Sequence, residues 1–220
     1  MYIAEKAQWV LRESKLPWLM LDTITFPYLD MLAEAKKLEY VPYRTGNCVN
    51  WEVIALYGHD GDAKKSIYHH SKYNIDNPNP EWTEIAVNCP VTKNFLSSGL
   101  FNRFDRIRFM KLKPEGHIVL HNDLPNGRDG SLRSDYNLGC YHFSLSQPKE
   151  CFFNIQNWGD IPIKNGSCFL FCNAFNHELK NNSKHDRIHI IVHGEINMNF
   201  WAKHVVNAWN NLIKRYQDVQ

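Results

Sequence analysis

RFDRIRFMKL (103–112) and HIVLHND (117–123), parted by Lys113-Pro114-Glu115-Gly116, are the stretch on which the fold is read. Both runs alternate in the manner of a β-strand, and the Pro-Glu-Gly between them is turn material. Similar runs follow: YHFSLS (141–146), CFFNI (151–155), SCFLFCN (167–173) and RIHIIVHGEI (187–196). Gly, Pro, Asn and Asp punctuate the gaps. Short strands with regular turn signals predict a closed or sandwiched antiparallel sheet. A strand–glycine loop–helix signal is missing, which argues against a dinucleotide fold or a P-loop. The basic series Arg103, Arg106, Arg108, Lys111 and Lys113 lies on this pattern and reads as a solvated strand face.

Upstream, residues 1–45 read as helical with breaks. Leu29, Met31, Leu32, Ala35 and Leu38 form an amphipathic stripe with Pro27 near its start. NWEVIALYG (50–58) reads as a strand, residues 59–81 as an irregular polar loop, and 91–100 as a short helix. Downstream, Trp201, Val205, Trp209, Leu212 and Tyr216 fall on one helical stripe. It is expected to pack on the core, with a dimer through this C-terminal helix as the other option. The expected organisation is a single domain over 1–220, mainly β with flanking helices. Residues 1–100 would be an N-terminal elaboration, 101–197 the strand-rich core and 198–220 the helix.

Composition narrows the function classes. A hydrophobic content of 44% with 22% charged residues is that of a globular chain. A net charge of +2 gives no reason to expect a nucleic-acid partner. Six cysteines without a C-x-x-C pair predict reduced, mostly buried thiols and a cytoplasmic setting. The N-terminal residues lack the charged and apolar regions of a signal peptide, and no apolar run is long enough to span a bilayer. Neither secretion nor a transmembrane segment is expected.

The chemistry-bearing residues begin at the second run. On a strand, Val119, His121 and Asp123 would share one face, with Ile118, Leu120 and Asn122 on the other. His121 and Asp123 form an H-x-D pair, and His177 is the best candidate for a third ligand. Two imidazoles and a carboxylate on one side of a metal make the facial arrangement of non-haem iron oxygenases, which leaves coordination positions open. Arg187, ten residues past His177, offers a planar fork suited to the distal carboxylate of a 2-oxo diacid. Plainer readings stand beside these. The H-x-D pair could be a surface pair, Arg187 could be paired to Asp186 or Glu195, and zinc or manganese could take the same ligands. His69, His70, His142, His189 and His204 read as surface, core or supporting residues, with His142, Asn154 and His189 candidates for the pocket wall or for support behind it.

A wider pattern runs through Cys89-Pro90-Val91-Thr92, Leu112-Lys113-Pro114-Glu115-Gly116-His117-Ile118-Val119-Leu120-His121, Leu132-Arg133 and Leu138-Gly139. It continues through Trp158, the Gly166–Phe171 run, Asn176-His177-Glu178, Asn181-Asn182-Ser183 and Arg187. In order and spacing, residues from about 82 to 194 resemble the aspartyl/asparaginyl β-hydroxylase family of 2-oxoglutarate oxygenases. The resemblance implies a double-stranded β-helix (jelly roll, cupin-like) using Fe(II), 2-oxoglutarate and O₂ to hydroxylate a C–H bond and release succinate and CO₂. It implies iron on His121 and His177, and co-substrate contacts from Arg187 and Arg133; His189 and His142 are expected at the co-substrate pocket as this chain's own candidates. Two departures stand out. Family members known from animals have glycine where this chain has Asp123, and a serine that helps bind the distal carboxylate falls at Met110. The substrate, peptide or small molecule, is not identified by these motifs. A non-enzymatic cupin-like protein binding a metal or small molecule is the alternative.

Overall fold

The computed structural model describes residues 2–43, 46, 48–68, 79–123 and 139–217. One long strand organises it. β5 (Phe101–His121) pairs along one side with β3 (Cys48–His59). Its other side carries two partners in turn, β11 (Arg187–Ile196) on residues 101–112 and β10 (His177–Asn181) on residues 117–121. The two sequence runs are therefore one strand. Between them Lys113–Gly116 forms a corner, where β5 exchanges β11 for β10. Glu115 takes φ 60, and the Asn50 amide donates to the Pro114 carbonyl at 3.2 Å. Gly116 is needed there, since a Cβ would lie 2.7 Å from both the Lys113 carbonyl oxygen and Leu112 Cδ1.

From this corner the chain winds as two facing sheets. Beyond β11 come β6 (Gly139–Ser146), β9 (Cys168–Phe171) and β1 (Trp18–Met20). On the other branch β10 is followed by β7 (Cys151–Ile155) and β8 (Gly159–Asp160). With the halves of β5 counted separately, first pairs with last, second with next to last, third with sixth and fourth with fifth. That nested pairing is the double-stranded β-helix. β10 was not apparent in the sequence because HELKN carries Glu178 and Lys180 on an exposed face while His177, Leu179 and Asn181 turn inward.

The strands read as continuous apolar runs because both faces of the larger sheet are covered. Its outer face, with Phe109, Phe143, Leu170 and Ile190, is buried under α1 (Ile3–Glu13), α2 (Tyr28–Ala35), α3 (Pro90–Leu96) and α4 (Met198–Gln217). Each such side chain contributes about 2 kcal/mol by leaving water. Trp201 and Val205 of α4 are fully buried, and Trp209 stands edge-on to Trp9 of α1 at 5.5 Å. The C-terminal stripe thus packs within the chain; the Tyr216 side chain lies outside the described residues. β2 (Val41–Pro42) and β4 (Pro80–Trp82) extend β3. The thiols of Cys89, Cys151 and Cys168 are buried, and no disulfide is formed among the described residues.

The basic series departs from expectation. Arg103 is exposed, and Lys111 pairs with Glu52 at 2.6 Å, but Arg106 and Arg108 are 8% and 6% exposed. They share the inward face of β5 with Met110 and Leu112, so that face is barrel interior and not solvated surface.

Candidate metal centre

Register brings the two histidines together. His121 ends β5, His177 begins β10, and the two are directly paired, with ring centroids 4.3 Å apart. A bulge aims His121. Three steps of β5, from Ile118 to His121, face two steps of β10, from Leu179 to His177. Simple alternation would oppose Ile118 to His121; instead both line the same cavity, while Val119 and Leu120 are 47% and 45% exposed. The expected face of Val119, His121 and Asp123 is corrected accordingly.

Each imidazole is held by its own strand. His121 Nδ1 lies 2.8 Å from the Val119 carbonyl, and His177 Nδ1 lies 2.9 Å from the Phe175 carbonyl. A carbonyl only accepts, so Nδ1 carries the proton and each Nε2 keeps its lone pair. Asp123 follows the strand end, where its N–H donates to the Asn173 carbonyl at 3.0 Å. Its Oδ1 is 3.4 Å from His121 Nε2, and ligand atoms of His121, Asp123 and His177 all lie within 4.8 Å of one another. Two neutral imidazole nitrogens and a carboxylate, converging from three backbone-fixed positions, fit a divalent cation with open sites. When Nε2 is protonated as well, it hydrogen-bonds Asp123, which pushes the His121 pKa up, whereas burial pulls His177 down. Burial raises the Asp123 carboxyl, but its hydrogen bond to His121 and the fields of His177 and His121 outweigh this and hold it low.

Both ligand segments are tied together from outside. Asn122 Nδ2 donates to Asn176 Oδ1 at 2.9 Å, and Asn176 Nδ2 donates to Gln156 Oε1 at 2.7 Å.

The ligands open onto a cavity of about 290 Å³ that Arg187 and His142 also line, with Ile118, Phe153 and Phe171 as apolar wall. Arg187 is 1% exposed, and no carboxylate of the described residues reaches it, so the expected alternatives of Asp186 and Glu195 do not apply. Its Nε donates to Gln147 Oε1 at 3.1 Å and its Nη2 to His189 Nδ1 at 3.0 Å. Gln147 Nε2 donates to the Cys151 carbonyl at 2.7 Å, which fixes the amide orientation. The same Oε1 therefore accepts from His189 Nε2 at 3.0 Å, and His189 is a neutral tautomer with Nδ1 free to accept from Arg187. Burial and the adjacent guanidinium drive the His189 pKa well down, and burial lowers that of Arg187 to about 10, leaving the arginine charged at neutral pH.

His189 thus stands behind Arg187 and is not on the cavity wall. Burial, with Arg187 next, also holds His142 well below its ordinary range; its ring stacks on Phe169 at 4.7 Å. Asn154 bonds Asp160 at 3.0 Å away from the cavity, and Trp158 sits 45% exposed against Trp18. Met110 is buried in register with His189, and the polar contacts to Arg187 come from His189 and from Gln147, which no sequence signal singled out. Arg133, with Leu132 and Leu138, lies outside the described residues, as do His69 and His70.

The model of the aspartyl/asparaginyl beta-hydroxylase family matches residues 24–195. No curated protein sequence matches the chain. Among solved structures, a 2OG-Fe(II) oxygenase family oxidoreductase from Burkholderia pseudomallei superposes with TM-score 0.53 at 13% identity, covering 89% of this chain and 93% of that one. A Pseudomonas putida prolyl-4-hydroxylase gives TM-score 0.45 at 14% identity, covering 89% and 100%. At these identities the first likeness bears on the fold alone, and it is the fold described above. The family match covers most of the chain, and the chain therefore belongs to the aspartyl/asparaginyl beta-hydroxylase family of iron(II)- and 2-oxoglutarate-dependent oxygenases.

Proposed function

We propose that His121, Asp123 and His177 hold the iron, that Arg187 grips the distal carboxylate of 2-oxoglutarate, and that the protein hydroxylates an unactivated C–H bond of a small-molecule or peptide substrate. The supporting observation is the convergence of those three ligand groups, within 4.8 Å, in the cavity also lined by a buried Arg187 that no carboxylate of the described residues meets. A buried cation without a carboxylate partner is costly, and a bound diacid removes that cost. Iron(II) with 2-oxoglutarate and O₂ supplies the oxidising chemistry, which places one oxygen atom on substrate carbon and releases succinate and CO₂.

The chain's own residues bind, orient and exclude. Carbonyls of Val119 and Phe175 fix the two imidazoles; Asp123 offsets part of the metal charge. Gln147 and His189 fix the plane of the Arg187 fork, so the co-substrate meets a preset pair of donors. Phe153, Phe171 and Ile118 keep water from the wall beside the ligands. Arg133 is a further proposed co-substrate contact. Reduced, buried thiols support a cytoplasmic setting.

The test is succinate formation from 2-oxoglutarate by the purified chain, with and without Fe(II). His121→Ala and His177→Ala are expected to abolish metal-dependent turnover while leaving the circular dichroism spectrum unchanged. Full turnover in either variant contradicts the ligand assignment.

A further inference from the structure

Arg108 lines the cavity, yet the reading above gives it no task. It lies opposite Ile191 in the β5–β11 register, whereas Arg187 lies opposite Leu112. Four residues of β11 separate the two positions, which is about 13 Å at the rise of a strand. 2-Oxoglutarate held by Arg187 and chelating the metal does not extend that far. Arg108 is nevertheless fixed in place. Its Nη1 donates to the Ile67 carbonyl at 2.9 Å, its guanidinium stands 5.7 Å from the Tyr43 ring centroid, and Nη2 comes within 3.5 Å of His193 Nε2.

Among the described residues, three of its N–H groups meet no partner. A guanidinium has five N–H donors, and here the Nε is buried without a partner among the described residues. Arg106 stands beside it on the same inward face, paired in register with His193, and Cys140 completes that row from β6. Its Nε is likewise buried and unsatisfied. No carboxylate of the described residues lies within ion-pair distance of either arginine. Burial, and then the neighbouring Arg108, pull the Arg106 pKa down to about 9. Two adjacent guanidiniums, both more than nine-tenths buried, repel each other and have lost their hydration, so the arrangement is unfavourable unless an anion completes it.

Resting on the oxygenase reading, we propose that Arg108, with the charge of Arg106 behind it, forms the anion subsite for the substrate, which carries a carboxylate or phosphate group and binds across the metal centre from Arg187. The planar fork of Arg108 suits two oxygens of either group. Tyr43 and Trp51, 4.9 Å apart and both on the cavity wall, bound the space in front of it.

The experiment uses protein loaded with Mn(II) and saturated with 2-oxoglutarate under anaerobic conditions, so that Arg187 is already occupied. Inorganic phosphate and acetate are titrated by calorimetry. Saturable binding of at least one is expected, phosphate assigning a phosphorylated substrate and acetate a carboxylate one. Arg108→Gln should weaken it at least tenfold and Arg106→Gln severalfold, with circular dichroism confirming the fold. Arg103→Gln, an exposed change on the same strand, should leave it unchanged. No saturable binding of either anion by the wild-type protein overturns the proposal, as does wild-type binding by both Arg108→Gln and Arg106→Gln. Titration of 2-oxoglutarate alone into Arg187→Gln is a separate arm. Undiminished affinity there undermines the co-substrate assignment whatever the small anions do.

Discussion

Asn122 and Asn176 join side chain to side chain at 2.9 Å, and each immediately precedes a proposed ligand, Asp123 and His177. This bond crosses between the end of β5 and the start of β10, so it holds the two ligand-bearing backbones at a fixed separation. Asn122→Ala is expected to weaken metal binding by about tenfold, the lower end of what loss of supporting contacts around a metal site produces. Calorimetric titration of Mn(II) checks it, and an unchanged affinity would show that the strand register alone is sufficient.

Gln147 accepts from two buried donors through a single oxygen. Gln147→Leu leaves both unsatisfied and should cost about 1–3 kcal/mol of stability. It should also raise the KM for 2-oxoglutarate severalfold, because Arg187 loses the contact that sets its plane. Urea unfolding and steady-state kinetics read the two effects separately. A stability loss without a change in KM would mean Gln147 serves packing only.

Gly116 marks the corner at which β5 changes partner, with no room for a side chain beside the Lys113 carbonyl. Gly116→Ala should destabilise by about 1–3 kcal/mol, since backbone must shift to admit the Cβ. Because the corner positions His121, metal affinity should fall as well. A urea midpoint equal to that of the wild type would refute the steric argument.

His142 is buried and neutral, its pKa depressed well below 6.5 by burial and by Arg187. The unfolded chain protonates this group near 6.5 and the folded one does not, so the unfolded state binds the extra proton. Stability from this source is complete above that pH and is lost as pH falls below it, at about 1.4 kcal/mol per pH unit. His142→Phe keeps the ring stacked on Phe169 and removes the titration. In metal-free protein, the variant should gain on the wild type between pH 6.5 and 5. Parallel stability curves would show that His142 is protonated in the fold.

Much of this was legible in the linear sequence. Strand runs separated by turn residues dictate an antiparallel β core, because period-two alternation suits a pleat and little else. The candidate ligands His121, Asp123 and His177, and Arg187 as the candidate co-substrate contact, are singled out by residue chemistry and spacing together with the family resemblance. What the chain could not show is anything that depends on which strand lies beside which. The bulge at Val119–Leu120, which turns His121 and Ile118 to one side, arises only when β5 is laid against β10. The burial of Arg106 and Arg108 likewise follows from that face of β5 turning into the barrel, since a charged strand face looks the same in sequence whether water or a barrel interior stands in front of it. Local pattern sets the elements; register and enclosure, which are long-range pairings between distant residues, decide which side chains meet and which are left without water.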